Sequence, residues 1–69
     1  MKRSDIRVGE FYRVKGNEYA YAKVIEVIPP MTSINNTRAY VSKCQWVINK
    51  DDKFGMIKYF KISELTKIL

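Results

Sequence analysis

Apolar and polar residues alternate along most of this chain, and the alternation is clearest in YAYAKVIEVI, Tyr19 to Ile28. Tyrosine and alanine exchange places twice, then Lys23 leads into a β-branched run that stops at Pro29-Pro30. A period of two predicts a strand with one crowded face and one face able to touch something else. Ten residues is long for a strand, so a bend or bulge is expected near its middle. Lys23 shares the parity of Tyr19, Tyr21 and Ile25, and a lysine is rarely buried. That places Ala20, Ala22 and Val24 inward, with tyrosines in and alanines out as the alternative.

The other segments follow the same period. Glu10 to Lys15 puts Tyr12 and Val14 on one face and Phe11, Arg13 and Lys15 on the other, and Gly16-Asn17 marks a tight turn. Pro29 to Thr37 (PPMTSINNT) has no periodicity and reads as a polar, mobile loop. In Arg38 to Ile48, Tyr40, Ser42, Cys44 and Trp46 share the face expected to be core, while Val41, Lys43, Gln45 and Val47 share the other. A polar turn, Asn49 to Lys53, precedes a strand opened by Gly55, Met56 to Phe60. Ser63-Glu64-Leu65 reads as one helical or 3-10 turn and Thr66 to Leu69 as a closing strand. Five short strands in under 70 residues predict an all-β domain, and a small bent barrel is the main way to bury both sheet edges at that size.

Composition adds limits. The chain has 69 residues, enough for one domain, and 46% of them are apolar, too many for a disordered chain. A single cysteine, Cys44, allows no internal disulfide, and without histidine no Cys/His zinc site can be drawn. The lone thiol fits a reducing, cytoplasmic setting. The opening MKRSDIRVGEFYR is charged throughout and lacks the apolar core of a signal peptide, and no apolar run is long enough to span a bilayer. Thirteen Lys and Arg against seven Asp and Glu give a net charge of +6, which attracts polyanions, chiefly nucleic acid.

The pattern also resembles a known group. Gly9-x-x-Tyr12-x-Val14-Lys15, a turn, then Tyr21-Ala-Lys-Val-Ile-Glu-Val27, a lysine-bearing Trp46 strand, a strand opened by Gly55 and Tyr59-Phe-Lys-Ile-Ser-Glu-Leu65 are similar to SH3-like small barrels of the Tudor, chromo-barrel and KOW types. The resemblance spans residues 7–69, and Ala22 stands where the KOW motif carries glycine. It implies a five-stranded SH3-like barrel with a 3-10 turn before its last strand, and a general tendency to bind nucleic acids or peptides. It implies no particular site.

No catalytic constellation can be assembled: histidine is missing, Cys44 has no basic partner, and Asp51-Asp52 sits in a turn between Lys50 and Lys53. Neither a cofactor nor a metal is expected. What remains is basic residues interleaved with aromatics. Arg13, Lys15, Tyr19, Tyr21, Lys23, Lys43, Lys58 and Tyr59 form the expected nucleic-acid-binding set, joined by Phe11. Lysine and arginine neutralise phosphates, and exposed rings stack on bases. For any one of these residues, an ordinary core or solvated strand position is the better explanation; the set as a whole slightly favours binding. A non-catalytic DNA-binding module is therefore expected, with RNA and single strands behind duplex DNA. The alternative is a protein-interaction module, an accessory or inhibitor protein of phage or plasmid type or a Tudor-like peptide binder. A homodimer would double the basic surface. Lys2, Arg3 and Arg7 are expected to form a flexible basic arm over residues 1–5 and just beyond.

Overall fold

The computed structural model describes residues 1–68. Its strands are β1 (Phe11–Val14), β2 (Asn17–Ile28), β3 (Val41–Val47), β4 (Met56–Lys61) and β5 (Leu65–Thr66). They form one antiparallel sheet in the order β4-β3-β2-β1-β5, and the remaining regular structure is two 3-10 turns, Arg3–Asp5 and Ile62–Glu64. The fold is all-β. The sheet is not closed: β4 and β5 stand at opposite ends of the hydrogen-bonded order. The last strand pairs earlier than the sequence suggests, at Leu65–Thr66, and Leu69 lies outside the described residues. The 3-10 turn starts one residue before Ser63, with Lys61 and not Ser63 at its N-cap and the Glu64 carboxylate accepting from the Lys61 N–H at 3.4 Å.

The tyrosine–alanine alternation is explained by the register. Ala22 pairs with Tyr12 on one side and Trp46 on the other, and it is fully buried. A larger side chain there would occupy the space that the two rings need. Ala20, Ala22 and Val24 face inward, while Tyr19 is 86% exposed and Tyr21 and Lys23 are half-buried on the opposite face. The expected bulge is present: Val24 pairs with Cys44 but Glu26 with Lys43, so Ile25 is the extra residue. The shift lets Val27 pack on the core from a parity that pointed outward before it.

The core gathers Ile6, Tyr12, Ala22, Val24, Cys44, Ile62 and Leu65. Ser42 and Cys44 are fully buried and Trp46 packs against the core cluster, as expected, but Tyr40 precedes β3 and is 40% exposed. The N-terminal residues are a folded turn rather than an arm. Ile6 enters the core, Met1 packs against it, and the Lys2 N–H donates to the Asp5 carboxylate at 3.0 Å. Tyr12 Oη ties this segment to the sheet, accepting from the Arg7 N–H at 2.9 Å and donating to the Asp5 carbonyl at 3.3 Å. The N-terminal segment therefore lies against the inner face and leaves the other face open.

The loop between β2 and β3 is more organised than its polar sequence suggests. Asn35 is buried within it and donates through Nδ2 to the carbonyls of Pro29 at 3.1 Å and Ala39 at 2.9 Å. Its Oδ1 accepts from the Thr37 hydroxyl at 2.6 Å and the Thr37 N–H at 3.1 Å. One side chain thus replaces the ladder that Pro29-Pro30 ends.

Candidate functional site

The outer face of the sheet carries the basic and aromatic residues in rows set by strand register. Phe11, Lys23, Gln45 and Ile57 form one row across β1 to β4, and Glu26, Lys43 and Tyr59 form another. Side chains directly paired across antiparallel strands share a face, so these rows lie side by side.

Arg13 organises one end of the face. The β1–β2 register slips between Tyr12 and Val14, leaving a stretch of β2 without ladder partners. The Arg13 guanidinium supplies them: Nη1 donates to the carbonyls of Glu18 at 2.7 Å and Ala20 at 3.1 Å. Nη2 donates to Tyr21 Oη at 3.2 Å, and the guanidinium carbon lies 4.1 Å from the centre of the Tyr21 ring. A planar fork of donors is what makes this combination available to arginine and not to lysine.

Around that anchor the cations and rings converge. Phe11 meets Tyr21 edge-on, with ring centres 6.2 Å apart at 83°. Lys23 Nζ lies 5.7 Å from the Phe11 ring, and Lys50 Nζ lies 5.8 Å from Phe11 and 5.3 Å from Tyr21. Attraction between ammonium groups and ring faces holds several like charges in one small region. One cost follows for base stacking: Tyr21 already carries Arg13 and Lys50 close to its ring, so it has little open face to offer a base. Tyr59, 55% exposed beside Lys43, is an open ring on this face, as is Tyr19 near the start of β2.

The expected residues therefore separate. Arg13, Tyr21, Lys23, Lys43 and Tyr59 share the outer face. Lys15 and Tyr19 are exposed at the β1–β2 turn, where Lys15 borders an open cleft of about 540 Å³ with Lys67 across it. Lys58 belongs to the opposite face. It pairs with buried Cys44, and its Nζ lies 5.3 Å from the Trp46 ring, which also meets Phe60 at 5.4 Å. Adjacent residues in a strand point to opposite sides, so Lys58 and Tyr59 cannot serve one surface. Lys50 was not expected. Its place in a polar turn gave no sign that the β3–β4 connection brings it over β1 and β2.

Cys44 is buried on the inner face, where burial raises its thiol pKa and a hydrogen bond with Ser42 at 3.2 Å partly opposes the rise. That is an inert core thiol. Among the described residues, no group of three or more His, Cys, Asp or Glu side chains gathers to hold a metal ion, and no helix is long and apolar enough to cross a membrane. No family model matches this chain, and no curated protein or solved structure matches it either.

Proposed function

We propose that this chain is a non-catalytic nucleic-acid-binding module that takes duplex DNA on its outer face. The observation that carries this reading is the gathering of Arg13, Lys23 and Lys50 around Phe11 and Tyr21, continued across the sheet by Lys43 and Tyr59. Arg13, Lys23, Lys43 and Lys50 offer phosphate contacts, and the net charge of +6 draws the polyanion in. Backbone contact dominates, because the well-exposed rings, Tyr59 on β4 and Tyr19 near the start of β2, stand apart and the face holds few groups for reading base edges. This favours a duplex over a single strand, for which a run of open rings would be needed. The fold we propose is an SH3-like small barrel left partly open. A four-strand meander of β1 to β4, a bulge in a long second strand, a 3-10 turn before β5 and the return of β5 onto β1 support it. The setting is cytoplasmic and reducing, and no cofactor takes part.

Fluorescence anisotropy of labelled duplex DNA, single-stranded DNA and duplex RNA at two salt concentrations tests this reading. Duplex DNA is expected to bind most tightly and to weaken steeply with salt. Absence of binding at low salt, or an affinity indifferent to salt, would move the outer face to the protein-interaction reading.

A further inference from the structure

We propose that the outer edge of β4 pairs with β4 of a second copy of this chain, antiparallel and with Tyr59 on the two-fold axis. Among the described residues, nothing pairs with that edge. A strand edge without a partner is a template for another strand, and β4 is well exposed, with Met56 at 67%, Tyr59 at 55% and Ile57 at 44%.

The hydrogen-bond pattern says which groups the edge offers. The Ile62 N–H donates to the Tyr40 carbonyl at 3.2 Å, in the same register that pairs Ser42 with Phe60 and Cys44 with Lys58. Alternation along an antiparallel ladder then turns the backbone groups of Met56, Lys58 and Phe60 toward β3. Those of Ile57, Tyr59 and Lys61 turn outward, which agrees with the Lys61 N–H meeting the Glu64 carboxylate instead of a strand.

A two-fold axis normal to the sheet pairs residues of the same parity. With Tyr59 on the axis, Tyr59 faces its own copy, Ile57 faces Lys61, and Lys58 faces Phe60. Every lysine of the strand then has an uncharged residue opposite. Shifting the axis by one residue, onto Lys58, sets Lys58 against Lys58, a like-charge pair, and shifting it on to Ile57 leaves only the first part of the strand paired. Shifting it toward Lys61 leaves only the last part of the strand paired. The charge pattern of Met56-Ile-Lys-Tyr-Phe-Lys61 thus fits a second copy in one register. Such an axis also keeps the outer faces of both copies on one side, so the basic rows continue across the joint. The pairing stands independently of any nucleic acid.

Cysteine cross-linking tests it. Paired residues in an antiparallel hydrogen-bonded site lie about 5.5 Å apart at Cα, a distance that a disulfide spans. Under mild oxidation Tyr59→Cys is expected to form a covalent dimer about tenfold faster or more than Lys58→Cys or Lys61→Cys, because only residue 59 meets itself. Buried Cys44 stays out of the reaction in all three. Sedimentation of the unaltered chain is expected to show the mass rising above 8.1 kDa with concentration, undiminished by salt, since lysines of both copies approach the axis. DNA binding responds to salt in the opposite sense, so the two proposals fail separately. Equal cross-linking at all three positions, or a chain that stays at the monomer mass up to millimolar concentration, would overturn the pairing.

Discussion

Arg13 shows how one side chain can hold a surface together and also lend it charge. Its fork reaches two carbonyls in the stretch of β2 that the slipped β1–β2 register leaves without ladder partners, and the Tyr21 phenol as well. Arg13→Ala should therefore lower stability by about 1–2 kcal/mol, allowing for the partial exposure of the site. Arg13→Lys should recover little of it, since an ammonium cannot bridge the same three acceptors. A shift in the urea midpoint reads this directly, and a lysine variant as stable as the parent would refute the fork as the cause. Cys44 makes a second residue-scale prediction. Burial raises its pKa, so the folded chain holds its thiol proton more tightly than the unfolded chain does. That contribution is complete below the unfolded thiol pKa of roughly 8.5 and is lost as pH rises above it. Alkylation of Cys44 should accordingly be slow in the native protein at pH 8 and fast in urea. Rapid native alkylation would contradict the burial.

At the scale of elements, the β3–β4 connection is the tightest joint. A Cβ on Gly55 would run into the Trp46 carbonyl and come within 2.7 Å of Val47 Cγ1. Backbone cannot yield as a flexible side chain does, so Gly55→Ala should cost about 1–3 kcal/mol or loosen the β3–β4 pairing. Heating while following the Trp46 fluorescence would measure this, and an unchanged melting temperature would show that the turn has more room than it displays. Gly55 was legible in the sequence as the start of a strand, but the reason for it, close approach to β3, was not. The same holds elsewhere. Lys23 fixed the parity of β2, because a lysine among alternating tyrosines and alanines seeks water, and the length of that strand announced its bulge. Asn35 and Lys50 left no such trace. A polar residue in a polar loop looks the same whether it is buried with all its bonds made or waving in solvent, and only the folded path of the chain distinguishes them.

At the scale of the whole molecule, the sheet divides the charge between two faces. Arg13, Lys23, Lys43 and Lys50 stand outside, while Lys2, Arg7 and Lys58 belong to the N-terminal segment and the inner face. Sequence alone merged these groups, since Lys58 and Tyr59 are neighbours in the chain and opposites in the strand. The proposed binding by the outer face makes position matter at constant charge. Four phosphate contacts imply a slope of log K against log salt of roughly −3.6 on B-DNA, at about −0.9 per contact. The decisive measurement is that slope for duplex DNA, taken for the parent chain and for two triple variants of equal net charge. One is Lys23→Gln, Lys43→Gln, Lys50→Gln, and the other is Lys2→Gln, Arg7→Gln, Lys58→Gln. The outer-face triple should lose most of its affinity and bring the slope close to −1, while the other triple keeps both near the parent values. Equal losses in the two triples would mean that net charge alone draws the DNA, and that the outer face is no binding site.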